Sequence, residues 1–237
     1  MSGHSKWATI KHKKALQDQK RGKVFSQLVR QIQIAARTDP NPASNSSLRM
    51  LIDKAKTANM PSSNIDRAIK KASGQGEGAT LEELTLEAYG PRNTAFLVES
   101  ITDNHNRTVS EIKHIFERNQ GHLAEKGSVI WLFEKKMILK IDPQNWNEEL
   151  ELKLIDAGIE DVQKNDEDIL LLANPAQEAQ IRQTFKTMNI APLSEEFDWQ
   201  AKNPVNLDED SALKQVEELI AMLEDNEDTK AVYTNLA

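Results

Sequence analysis

The chain has 237 residues, 28% of them charged and 38% hydrophobic, a length that ordinarily divides into two or three domains with cores of their own. It contains no cysteine, which excludes disulfides, thiolate metal sites and cysteine nucleophiles and fits a reducing compartment. No apolar run is long enough to cross a bilayer and the N-terminus lacks the apolar centre of a secretory signal, so a cytoplasmic protein with no membrane partner is expected.

The formal charge of -7 conceals a sorting by region. Residues 1–75 carry 15 Lys or Arg against 4 Asp or Glu, a net of +11, while residues 76–237 carry 15 against 33, a net of -18. A basic patch attracts polyanions even beside an acidic body, because salt screens charge over about 8–10 Å. Residues 1–23 hold few apolar side chains among many lysines, so their order is expected to depend on a partner. A mitochondrial transit peptide would favour Arg over Lys and avoid an acid such as Asp18.

From Val24 onward, Phe25, Leu28, Val29, Ile32, Ala35 and Ala36 recur at spacings of three and four, one apolar face of a helix. The Pro-, Asn- and Ser-rich stretch from Asp39 to Ser47 reads as a loop that caps a second helix with Leu48, Leu51, Ile52, Ala55 and Ala58. Pro61 marks a new start. Ser63 and Asp66 have capping-box spacing for a third helix carrying Ile65, Ala68 and Ile69, which Gly74 closes ahead of a Gly-rich linker through Gly78.

Beyond the linker the period shifts toward two, with a strand at Phe96 and Val98. Thr108 and Glu111 have capping-box spacing for a helix with Ile112, Ile115 and Phe116 that stops at Gly121. Val129 to Phe133, apolar on both faces, reads as a central strand of a strand–helix–strand unit. Next come a strand at Met137 to Ile141, a helix with Leu150, Leu154 and Ala157 ending at Gly158, and strands at Ile159 to Lys164 and Ile169 to Ala173. A helix with Ile181, Phe185 and Met188 and a strand near Glu196 to Trp199 complete the series. The order βαββαβ is ferredoxin-like. A last helix with Leu213, Val216, Ile220 and Leu223 and a strand at Ala231 to Tyr233 supply what the preceding unit lacks.

The expected fold is therefore α+β in three domains. Residues 1–78 form a basic helical nucleic-acid-binding domain. Residues 79–134 with 205–237 form a discontinuous α+β domain, and residues 135–204 form a ferredoxin-like domain inserted into it.

The candidate phosphate ligands are Lys6, Lys11, His12, Lys13, Lys14, Lys20, Arg21 and Lys23, since lysine and arginine neutralise phosphates and release counterions. Trp7 either stacks on an exposed base or plugs the bundle. Asp103-Asn104-His105-Asn106-Arg107 precedes a helix start, where free N–H groups and the Arg107 fork suit an anion, Asn104 lying at that terminus; a turn with its cap is the alternative. His4, His12, His105, His114 and His122 lack metal-ligand spacing, and Gly74, Gly76 and Gly78 do not make a phosphate loop. No catalytic residue, metal or cofactor is assigned, and an enzyme is not expected.

Gly3-His4-Ser5-Lys6-Trp7-Ala8, Ile10-Lys11-His12, Asn59-Met60-Pro61, Tyr89-Gly90-Pro91, Asp103-Asn104, Asn106-Arg107-Thr108 and Gly127-Ser128-Val129 together resemble the YebC/PmpR family, which includes the mitochondrial translational activator of cytochrome c oxidase subunit I. The resemblance spans the whole chain. It implies one helical and two α+β domains and, in bacteria, a cytosolic protein. It also implies either a DNA-binding transcriptional regulator or a ribosome-associated translation factor that binds ribosomal RNA and relieves stalling. The transcription machinery or the ribosome would then be the larger partner. Two positions depart from the pattern: Ala88 stands where glycine is common, and Pro91-Arg92-Asn93 replaces a Gly-richer turn.

Overall fold

The computed structural model describes residues 21–72, 80–165, 167–207 and 210–237. Its fold is α+β, with two four-stranded sheets and helices packed on them. The expectations for Gly74, the linker through Gly78 and the segment before Arg21 fall outside the described residues.

Helices α1 (Arg21–Thr38), α2 (Ser46–Thr57) and α3 (Ser62–Lys70) close on Leu28, Ile32, Ala36, Leu48, Ala55, Met60, Ile65 and Ala68. All but Met60, which lies between α2 and α3, are residues that the three-and-four spacing places on one face of a helix. Asn45 caps α2 by accepting from the Leu48 N–H at 2.9 Å, and its amide donates back to the carbonyls of Ala35 and Asp39. Helix α2 ends with Asn59 in the left-handed region (φ 61°), the Asn59 N–H on the Lys56 carbonyl and the Met60 N–H on the Ala55 carbonyl. That is a Schellman turn with asparagine in glycine's usual place and a buried Met60 as its apolar partner. The Asn59-Met60-Pro61 motif is thus a helix stop followed by a start. The expected Ser63–Asp66 capping box is not formed: Pro61 is the N-cap, no side chain caps the helix, and Ser63 already lies in the first turn.

The first sheet has the order β3-β1-β2-β8, from β1 (Glu82–Tyr89), β2 (Ala95–Thr102), β3 (His122–Leu123) and β8 (Thr229–Thr234). Strands β1 and β2 form an antiparallel hairpin from Glu82↔Thr102 to Tyr89↔Ala95. The turn between them holds Arg92 and Asn93 at φ 57° and 58°, so the departure from a Gly-rich turn keeps a left-handed backbone with residues that adopt it at a cost. The C-terminal strand β8 pairs antiparallel with β2, Val98 facing Val232. Helices α4 (His105–Arg118) and α7 (Asp210–Asp225) cover the sheet through Phe96, Val98, Ile112, Phe116, Val216, Leu219, Ile220, Leu223 and Val232. Phe96 and Phe116 meet edge to face, with ring centroids 5.5 Å apart. The tail therefore does supply a helix and strand to this sheet.

Two expectations fail here. Helix α4 is capped by Asn104, which accepts from the Arg107 N–H at 3.1 Å, and Thr108 is buried one turn inside the helix. Val129 to Phe133 is not a central strand. Ile130–Leu132 is a single 3₁₀ turn, Trp131 is 61% exposed, and the next strand starts only at Phe133. The physical reason is that the N–H groups of this segment bind the Glu87 carboxylate rather than a neighbouring strand.

The second compact unit is Phe133–Gln200; the chain leaves the first after Leu132 and re-enters it at Ala201. It runs β4 (Phe133–Ile141), α5 (Glu148–Asp156), β5 (Ile159–Lys164), β6 (Ile169–Ala173), α6 (Glu178–Met188) and β7 (Ser194–Ala201), with strand order β5-β6-β4-β7. That is the ferredoxin-like arrangement. Alternate residues Met137, Leu139 and Ile141 of β4 and Ile169, Leu171 and Ala173 of β6 meet Leu150, Leu154, Ile181 and Phe185 from the helices. Helix α6 ends as α2 does, with Asn189 at φ 53° and the Ile190 N–H on the Phe185 carbonyl.

Candidate nucleic-acid interface and the polar network behind it

Of the basic candidates, Lys6, Lys11, His12, Lys13, Lys14 and Lys20, together with Trp7, lie outside the described residues, and Arg21 is the first described residue of α1. Lys23 follows two residues later. It shares a stripe of α1 with Gln27 and Arg30, since spacings of four and three return to the same side of a helix.

All three side chains of that stripe reach the acidic turn joining α7 to β8. The Lys23 ammonium donates to the Glu224 carbonyl and pairs with Asp225 at 3.4 Å. Gln27 donates to the Thr229 carbonyl at 2.6 Å. Arg30 donates to the carbonyls of Glu227 (2.8 Å) and Ile101 (3.2 Å) and to the carboxylate of Asp228.

Asp228 is 3% exposed and is the centre of this network. Besides Arg30, its carboxylate accepts from Arg107 at 2.8 Å, from the Thr108 hydroxyl at 2.5 Å and from the Thr102 hydroxyl at 3.3 Å. The Asn226 side chain accepts from the Asp228 N–H at 2.9 Å. Burial works to raise the pKa of this acid, but the hydrogen bonds from Arg107, Thr108 and Arg30 and the Arg30 charge outweigh it, holding the carboxyl below its ordinary value. Arg107 shifts the other way, its pKa raised by hydrogen bonds to Asp228 and Asp103 and by their charges.

The segment from Asp103 to Thr108 thereby acquires a structural account. Asn104 caps the helix, Arg107 bridges Asp103 (2.8 Å) and Asp228 with Glu111 at 3.9 Å, and Thr108 closes on Asp228. The Arg107 fork that the sequence offers to an external phosphate is occupied by the protein's own carboxylates. Of the two readings of this segment, the turn with its cap matches the observed bonding.

A second buried acid organises the Gly127-Ser128-Val129 motif. Glu87, on β1 and 5% exposed, accepts from the N–H groups of Gly127 and Val129, each at 2.6 Å, and of Ile130 at 2.8 Å. Burial acts to raise its pKa, and the three backbone donors with the nearby Lys126 charge overcome it and lower the pKa. Gly127 at φ 92° lets the backbone curl round the carboxylate, and the Tyr89 hydroxyl donates to the Ser128 carbonyl at 3.2 Å.

Sequence reasoning missed Arg30, Glu87, Trp131 and Asp228. Asp228 carries no local signal, since its partners Thr108, Arg107 and Arg30 stand 120 or more residues away in the chain. Glu87 does carry one, an acid between the apolar Leu86 and Ala88 of a strand. Among the described residues no three His, Asp or Glu side chains gather to hold a metal, and no helix is long and apolar enough to cross a membrane.

Comparison with known proteins adds to this geometry. Residues 5–75 match the TACO1/YebC protein N-terminal domain and residues 81–236 match the TACO1/YebC second and third domain. A protein of Brachyspira hyodysenteriae named "Probable transcriptional regulatory protein" is 45% identical over 240 residues, covering all of this chain and 96% of that one. One of the same name from Dehalococcoides mccartyi is 45% identical over 237 residues, covering 99% and 94%. The crystal structure of a conserved hypothetical protein from Aquifex aeolicus superposes with a TM-score of 0.82 at 38% identity, covering 98% of this chain and 97% of that one. With both domain descriptions matched in order along nearly its full length, the chain belongs to the TACO1/YebC family.

Proposed function

We propose that this protein is a nucleic-acid-binding regulator of gene expression that grips phosphate with the basic residues ahead of and at the start of α1. The observation that carries the reading is the sorting of charge, +11 over residues 1–75 against -18 over the remainder. Lys6, Lys11, His12, Lys13, Lys14, Lys20 and Arg21 supply the positive field, and Trp7 adds an aromatic face for a base. Lys23 stands at the inner limit of this set, tied to the acidic turn. Asn104 and Arg107 serve the reading by fixing the α4 terminus and Asp228, to which α1 is anchored through Arg30. The relatives' shared name supports a regulatory rather than an enzymatic role and favours DNA as the target.

The remainder carries a net negative charge, so the basic end leads the approach to the polymer. Phosphate contacts of this kind are sequence-independent and strongly salt-dependent. The test is DNA filter binding over a salt series for the natural chain and the triple variant Lys11→Ala, Lys13→Ala, Lys14→Ala, with co-sedimentation on ribosomes in parallel. The variant is expected to bind more weakly on every sequence, its slope of log affinity against log salt shallower by about one for each phosphate no longer neutralised. An unchanged slope overturns the role given to these lysines. Saturable ribosome binding with only weak, unspecific DNA affinity replaces DNA by ribosomal RNA as the target.

A further inference from the structure

Trp131 is 61% exposed, whereas Val129 and Phe133 on either side of it are buried. A large apolar ring held in water on an otherwise packed segment calls for an explanation. Its surroundings narrow the choice. The indole N–H donates to the Ser128 carbonyl at 2.9 Å, so the ring's one polar group is satisfied within its own turn, and what it shows to solvent is carbon and π face. The turn is fixed from below: Glu87 holds the N–H groups of Gly127, Val129 and Ile130, and the Tyr89 hydroxyl binds the same Ser128 carbonyl as the indole. A side chain on so constrained a backbone meets a ligand with little further ordering to undergo.

Charge completes the description. The Lys202 ammonium donates to the Trp131 carbonyl at 2.9 Å while its backbone N–H binds the Leu132 carbonyl at 2.9 Å, which pins a positive charge against the backbone that carries the ring. Lys126, exposed at the start of the same turn, adds a second. Protein hot spots seat a tryptophan among further apolar contacts that exclude water. Here the bonds made by the residue are polar and basic: its indole rests on the Ser128 carbonyl, and its own carbonyl accepts from the Lys202 ammonium. A flat aromatic face with no donor left to offer, with the Lys202 ammonium on its own backbone carbonyl and the exposed Lys126 in the same loop, suits a planar, uncharged ring attached to an anionic backbone.

We propose that Trp131, with Lys126 and Lys202, is a second nucleic-acid contact, a platform on which one unpaired base stacks while the lysines neutralise the adjoining phosphates. It rests on the nucleic-acid reading above but uses a different region of the chain, and its main contact is with a base rather than with the phosphates that the lysines before α1 neutralise. Stacking is tolerant of base identity and requires a base out of its duplex. The platform therefore discriminates single-stranded from paired nucleic acid, which the basic residues before α1 do not.

The test uses the full-length chain with an oligothymidine strand of about a dozen nucleotides and, separately, a DNA duplex. Trp131→Ala is expected to weaken binding of the single strand roughly five- to hundredfold, leaving the duplex affinity, the salt slope and the melting temperature unchanged, because the ring is neutral and exposed. Trp131→Phe retains most of the affinity, since a smaller ring still stacks. Lys202→Ala lowers single-strand affinity less and reduces the salt slope by about one. The proposal is overturned if Trp131→Ala binds oligothymidine like the natural chain, if duplex affinity falls equally, or if the natural chain ignores the single strand. In each of these cases the Lys11, Lys13, Lys14 variant still reports on the phosphate reading, so the two stand or fall separately.

Discussion

Asp228 and Glu87 are buried to nearly the same degree, 3% and 5% exposed, and both are held ionised against the pull of burial. They are stabilised by different means. Asp228 relies on side chains, two guanidinium groups and two hydroxyls, drawn from α1, the end of β2 and α4. Glu87 relies on three backbone N–H groups of one turn. The first arrangement joins elements distant in sequence and is open to substitution at every partner. The second organises a single loop, and its donors survive any side-chain substitution other than proline.

The largest expected effect follows from removing the cations. In Arg30→Ala, Arg107→Ala the Asp228 carboxylate keeps only hydroxyl partners, and stranding a buried charge costs about 3–5 kcal/mol. Urea denaturation measures it. Adding Asp228→Asn should recover part of the loss, because the group left behind is then neutral, which is the non-additivity expected of one network. If the third substitution makes matters worse, Asp228 is not destabilised by its isolation and the contrast with Glu87 fails.

Glu87→Ala should cost less, about 2–3 kcal/mol, since it removes an acceptor and leaves N–H groups that water can reach after the loop relaxes. A loss equal to that of the double arginine variant would put the two acids in one class.

Acid should weaken both sites together. Each carboxyl has a folded pKa below its ordinary value, 3.8 for aspartate and 4.5 for glutamate. Each therefore contributes stability that is present above that value and lost as pH falls through the folded pKa. Glu195 in the ferredoxin-like unit has the opposite sign. Burial raises its pKa despite the Arg182 charge and the 2.5 Å hydrogen bond from Arg182, with Glu178 adding repulsion. Its contribution is present below the ordinary glutamate value and declines as pH rises through the folded one. Urea titrations between about pH 3 and 7 should show an acid limb that flattens in a chain carrying Asp228→Asn and Glu87→Gln. An acid limb unaltered by both substitutions would assign the pH dependence to other carboxylates.

The same contrast explains what the sequence reveals. Helical faces are readable because Leu28, Ile32 and Ala36, or Val216, Ile220 and Leu223, repeat with the helix's own period. Strands β5 and β6 are readable because turn-forming residues bound them on each side. Strand β1 escapes notice because Glu82, Glu83 and Glu87 mask the alternation of Leu84, Leu86 and Ala88. Val129 to Phe133 misleads for a related reason: its apolar composition is that of a buried strand, yet Glu87, 42 residues before Val129, captures its donors. The capping boxes at Ser63 and Thr108 have the right spacing in the wrong place, displaced by Pro61 and Asn104. The charge sorting that motivates the functional reading is visible at once. The anchor of α1 on Asp228 is not, because it pairs residues 198 positions apart.

The smallest effect sharpens the comparison most. At Gly127 a methyl group would meet nothing within 4 Å, but the backbone stands at φ 92°, outside the region that residues with a Cβ adopt comfortably. Gly127→Ala should therefore cost about 1–2 kcal/mol through backbone strain alone, read as a lower urea midpoint with an unchanged slope. The strain exists because Glu87 draws the Gly127 N–H onto its carboxylate. With Glu87→Ala already present, the loop is free to relax, and the same substitution should cost only a fraction of that amount. Equal costs in the two backgrounds would mean that Gly127 takes its conformation from the chain around it rather than from the acid. The loop beneath Trp131 would then be held by packing instead of by a buried charge.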